Sequence, residues 1–237
     1  ECSVSRVLAR GVDMHPAGFA VLRPREFAAA ADEIGLGALA RVVLAVGGSS
    51  YPPRLEKLER LYGELLGAVS KGAVFPGRTL GGCRLMAGTG RHSGKLVVCR
   101  EARGLPDSMS VPPGQRLAWD GRFLIRFGDF KMWAEADLRL ASLGSRGWSE
   151  IIRIRPDLRA GPVPGPARDS LPALFDEDGV LAVPHLPENG QLVFLCLFQN
   201  PVRRHCLLPQ VDRKSRQPDQ GVTDLPVDGF AHQDRKS

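Results

Sequence analysis

The 237-residue chain has no run of 18 apolar residues, so no membrane-spanning helix is expected. Its N-terminus lacks the basic-then-apolar pattern of a secretory signal. It also lacks an initiator methionine. The chain starts at Glu1, within what reads as a helix, and the expectation is a fragment or processed piece of a longer protein. Cysteines are few and poorly placed for cross-linking. Five stand at positions 2, 83, 99, 196 and 206, an odd number with no two at CxxC spacing. Neither a disulfide framework nor a zinc site is expected on that count, and free thiols fit a reducing, cytoplasmic setting. His15, His92, His185, His205 and His232 have no partners at ligand spacing and read as surface or turn residues. Ser49, Ser93 and Ser108 lie in no nucleophile elbow. Asp176-Glu177-Asp178-Gly179 is too short for a calcium loop and reads as a turn. No catalytic constellation is expected, and no cofactor or metal in this chain.

What the sequence does have is charge concentrated in one place. The composition, 43% hydrophobic and 24% charged, is that of an ordinary soluble globular protein. Between Arg78 and Arg103 stand Arg78, Arg84, Arg91, Lys95, Arg100 and Arg103 against the single acid Glu101. That is +5 in one stretch of a chain whose net charge is +6. The stretch reads as two strands joined by a glycine-rich turn. A hairpin this basic is a candidate surface for polyanions, nucleic acid above all. Lys and Arg also discourage pairing at exposed strand edges, so a merely solvated edge is the competing reading.

The rest of the chain divides by pattern. Helices are expected near the N-terminus, from Pro24, from Asp32, and from Pro53 onward. In the last of these Leu55, Leu58, Leu61, Tyr62, Leu65, Leu66 and Val69 share a face. Residues 1–71 form a small helical unit, nearly neutral with nine basic and eight acidic residues. From Thr79 strand signals take over. Asp120-Gly121 between two apolar runs marks a hairpin turn. Strands are expected again at 136–143, 171–175 and 180–184, with a short helix at 148–154. The fold class is α+β: a small N-terminal helical domain, then a mostly antiparallel, β-rich C-terminal domain at 76–187. Residues 188–237 read as an irregular or disordered tail.

Two phosphate-loop likenesses fail on spacing. In Gly88-Thr89-Gly90-Arg91-His92-Ser93-Gly94-Lys95 the first P-loop glycine position is Thr89, and Leu96 follows the lysine where Ser or Thr is required. Val46-Gly47-Gly48-Ser49-Ser50 resembles the SGG-x-DS loop of N-type ATP pyrophosphatases. It lacks the leading Ser and the Asp and follows a helix rather than a strand, so a helix cap accounts for it better.

The order HPAGFAVL, AVGGSSYPPR, LEKLERL, TLGGCRL, LVVCREARGLP, PGQRLAWDGRF and LPALFDEDGVLAVPHL resembles the region after the catalytic domain of tRNA(Ile)-lysidine synthetases, of the alphaproteobacterial type. The resemblance covers residues 1 to 187; residues 188–237 do not follow the family pattern. It implies a ligation in which ATP adenylates the wobble cytidine of an isoleucine tRNA and lysine displaces AMP. ATP and Mg2+ would belong to a catalytic domain before Glu1, and this chain alone would be inactive. By the same resemblance, 1–71 matches a central substrate-binding domain and 76–187 a C-terminal tRNA-binding domain, and dimers occur in related enzymes. The residues carried over as tRNA contacts are Arg54, Arg78, Arg84, Arg91, Lys95, Arg100, Arg103 and Arg122. A stand-alone basic RNA-binding module without catalytic activity is the alternative, and a remnant that binds nothing is the third.

Overall fold

A computed structural model describes residues 2–111, 116–127, 137–186 and 194–198, all within one unit of the chain. The N-terminal region is helical: α1 (Cys2–Gly11), α2 (Pro24–Ala28), α3 (Asp32–Gly47) and α4 (Leu55–Ser70). The leucine stripe of α4 folds as its spacing predicts, burying Leu58, Leu61, Tyr62 and Leu65. Helix α3, apolar nearly all round, buries Ala38, Leu39, Val42, Val43, Ala45 and Val46. Its left-handed cap is Gly48 (φ 69°), one residue past the glycine expected there.

Two short strands interrupt the helices, β1 (Val12–Met14) and β2 (Ala20–Leu22). Val12 opens β1 directly after α1 ends at Gly11. The basic stretch contains three strands rather than two: β3 (Arg78–Leu80), β4 (Cys83–Ala87) and β5 (Leu96–Arg100). A Gly81-Gly82 turn joins the first pair, with both residues at positive φ, as tight hairpins require. All five strands form one antiparallel sheet in the order β1-β2-β5-β4-β3. Strand β5 is therefore central and every residue in it is buried. Leu96 and Val98 pack toward the helices, whereas Val97 and Cys99 join the core on the other face. The solvated-edge reading fits only β3, which ends the sheet.

The remaining described strands are β6 (Met109–Ser110), β7 (Arg116–Trp119), β8 (Phe123–Phe127), β9 (Arg139–Ser142), β10 (Pro172–Phe175), β11 (Val180–Ala182) and β12 (Phe194–Phe198). They form two antiparallel sheets, β11-β10-β9-β6 and β12-β8-β7. Helix α5 (Gly144–Ile154) and the single turn α6 (Gly165–Arg168) lie between β9 and β10. The architecture is α+β with an N-terminal helical region. Within 188–237, expected to be irregular, Phe194–Phe198 is instead a strand paired with β8; the rest of that stretch lies outside the described residues.

Cys83 and Cys99 are free and buried, and burial pushes their thiols up to about 12 and about 11. Neither is a nucleophile near neutral pH. One histidine departs from its expected surface role. Both ring nitrogens of His185 are shielded from solvent without a partner among the described residues, and the ring lies 5.3 Å from that of Phe123. Burial first, then His15 and Arg122, pushes its pKa down to about 4. The unfolded chain, titrating near 6.5, takes up a proton that the folded chain refuses. Stability is therefore complete above pH 6.5 and declines as pH falls toward 4. Urea titrations of wild type and His185→Gln should differ in pH dependence by about 2–3 kcal/mol between pH 7 and 4.5. Parallel curves for the two proteins would refute the assignment.

Candidate nucleic-acid interface

The eight candidate contact residues do not share one environment. Arg78, on the edge strand β3, pairs with Glu64 of α4 at 2.7 Å and donates to the carbonyl of Gly77 at 3.1 Å. Its charge is largely matched within the protein.

Arg100 and Arg122 are not on the surface. They converge on Asp120, the first central residue of the β7–β8 turn. Relative exposures of the three side chains are 9%, 0% and 5% respectively. Arg100 donates through Nε (3.1 Å to Oδ2) and Nη2 (3.0 Å to Oδ1), and Arg122 through Nε (2.6 Å to Oδ2). The spare donors are also used. Arg100 reaches the carbonyls of Gly82 and Gly104, and Arg122 reaches those of Gly18 and Ser170. The guanidinium of Arg122 also lies 4.8 Å from the Phe123 ring centre. Burial holds the Arg122 pKa below the usual arginine value, against the pull of Asp120. Two forks on one carboxylate thus tie together the N-terminal segment, the five-stranded sheet, the β7–β8 hairpin and the approach to β10.

Glycines make this convergence possible. Asp120 and Gly121 both have positive φ (52° and 62°), as a type I′ turn demands. The turn packs on the capped end of α3, where a side chain on Gly48 would collide with the Asp120 carbonyl. A side chain on Gly47 would meet the carbonyl of Gly81 in the same way. The Gly-Gly pair that resembled a phosphate loop is thus a helix cap and a contact surface for two hairpin turns.

Five candidates remain exposed or half-exposed with no carboxylate partner among the described residues: Arg54, Arg84, Arg91, Lys95 and Arg103. Arg91 and Lys95 stand in the loop at one end of β4–β5, and Arg103 follows β5 at the other. The strands' five residues set these ends roughly 17 Å apart. Arg54 stands at the start of α4 three residues after Tyr51, which is 81% exposed. Arg159 and Arg168 lie near the Arg91 loop across a cleft and were missed in the sequence. They sit in a proline- and glycine-rich segment with no periodicity, and no local pattern links them to a loop some seventy residues earlier. Among the described residues, no three His, Cys, Asp or Glu side chains gather to hold a metal. No described helix is long and apolar enough to cross a membrane.

No family model matches the chain. Individual proteins do. The tRNA(Ile)-lysidine synthase of Ruegeria pomeroyi is 30% identical over 176 residues, covering 74% of this chain and 36% of the relative. That of Wolbachia pipientis is 24% identical over 190 residues, covering 76% and 38%. The Caulobacter vibrioides protein of the same name is 30% identical over 145 residues, covering 60% and 31%. The chain is therefore a relative of the tRNA(Ile)-lysidine synthases, and it spans about a third of the length of the curated members it matches.

Proposed function

We propose that this chain supplies the tRNA-binding part of a cytoplasmic tRNA(Ile)-lysidine synthase, the ligase that joins lysine to the wobble cytidine of isoleucine tRNA. The observation that carries the reading is the set of cations left without an internal acid around β4–β5: Arg84, Arg91, Lys95 and Arg103. An arginine already matched by a buried carboxylate gains little from a phosphate. One with open donors offers its planar fork to two phosphate oxygens at once. The stretch 88–95 fails the P-loop spacing. The chemistry is assigned to the remaining length of such an enzyme, and the role here is to hold and orient RNA.

Binding through phosphates is salt-sensitive because counterions are released. Titration with isoleucine tRNA at two salt concentrations should give a steep loss of affinity with salt. Arg84→Ala, Lys95→Ala and Arg103→Ala should each weaken binding about three- to tenfold and flatten the salt slope by roughly 0.7–0.9 per lost contact. Equal, salt-insensitive binding by all four proteins would refute the reading.

A further inference from the structure

The glycine-rich loop that fails as a P-loop has a second wall. Residues 159–168 face it and leave a cleft of about 520 Å³. Arg91, Arg159 and Arg168 line the cleft, and among the described residues no carboxylate does. Two of the three arginines are held in place. Arg168 donates from Nε to the Val163 carbonyl (2.9 Å) and from Nη2 to that of Arg159 (3.0 Å). Its guanidinium lies 4.1 Å from the Trp148 ring centre. Arg91 donates from Nη2 to the carbonyl of Ala160 at 2.8 Å, which ties the two walls together. Arg159 is exposed, and its guanidinium has no partner among the described residues.

Carbonyls and an aromatic ring fix a guanidinium in place without neutralising it. The cleft therefore keeps two positive charges, those of Arg91 and Arg168, in a preset arrangement, with the exposed Arg159 beside them. Burial holds the Arg168 pKa below the usual arginine value. Nε2 of His92, also on the lining, is shielded from solvent and has no partner among the described residues. Pro162, Pro164 and Pro166 stiffen the second wall, so binding there would order little that is not already ordered.

We infer that this cleft is a binding site for a phosphate group. The inference rests on the RNA reading above only for the source of that group, a phosphodiester of bound RNA or a free phosphate compound. The test is calorimetric titration of the full chain at low salt with pyrophosphate and, separately, with isoleucine tRNA. Arg159→Glu is the principal variant, because that side chain has no partner among the described residues to lose. Arg91→Ala is the second. Arg84→Ala is the control outside the cleft, and melting curves establish that each variant is folded.

Both cleft variants should weaken pyrophosphate about tenfold while Arg84→Ala leaves it unchanged. If they weaken tRNA to a similar extent, RNA is the source. If tRNA affinity is untouched, the source is a free phosphate compound, and Arg91 leaves the set of RNA contacts. No binding of pyrophosphate by wild type, with tRNA affinity sensitive to Arg84 but not to the cleft, overturns the inference and leaves the RNA reading standing. Pyrophosphate held at the cleft by a protein with no affinity for tRNA supports the inference and overturns that reading. Unchanged affinity of both ligands in both cleft variants overturns the cleft outright.

Discussion

Replacing Asp120 by alanine should destabilise the protein by about 3–5 kcal/mol, the range for removing one partner from a buried ion pair. The reason is stoichiometric. One carboxylate, 5% exposed, faces both Arg100 and Arg122, themselves 9% and 0% exposed. Its loss leaves two guanidinium groups in the interior with only neutral carbonyls to accept from them. Alanine also tolerates a φ of 52° less well than aspartate, a smaller cost included in that range. Asp120→Asn separates these contributions. Asparagine tolerates the left-handed region and keeps an acceptor, so it should lose about 2 kcal/mol less than alanine. Denaturant midpoints with unchanged slopes measure both. A loss below about 1 kcal/mol in Asp120→Ala would show that the convergence does not hold the fold together.

Gly48→Ala should be nearly as damaging, by about 2–5 kcal/mol. Its φ of 69° penalises any side chain, and the new Cβ would meet the Asp120 carbonyl and come within 2.9 Å of Arg122 Cγ. Gly72→Ala is the matched control. It has a similar φ, 61°, with nothing within 4 Å of the added carbon. That variant should show the strain alone, about 1 kcal/mol. The difference between the two variants measures how tightly the end of α3 sits on the β7–β8 turn. Equal losses would mean that the contact is loose.

These two positions also show what the sequence could and could not disclose. The Asp120-Gly121 pair was legible as a turn because few dipeptides accept two positive φ values. The Leu face of α4 was legible because its period repeats over four turns. Burial of Arg100 and Arg122 was not. Arginine is seldom fully buried, and the partner that permits it lies 20 residues from one and two from the other. The one available signal was indirect: an Asp at a turn flanked by an arginine, within reach of a strand ending in another. The small strands β1 and β2 escaped for a different reason, since three residues are too few to show alternation. Among the candidate contacts, charge was visible in the sequence but the allocation of carboxylates was not. That allocation separates the open cations from those already engaged.

Strand β2 pairs with β5, Ala20 opposite Val98 and Leu22 opposite Leu96. On a ribosome this imposes a wait. At roughly 5–20 residues per second, some 4–15 seconds separate synthesis of the apolar segment 20–22 from that of the strand beside which it will lie. Meanwhile α3 and α4, whose contacts are local, can form ahead of the sheet. The nascent chain should therefore expose an unpaired, buried-in-the-native-state strand to chaperones until about residue 100 has cleared the exit tunnel, and slow stretches of translation before that point would lengthen the exposure.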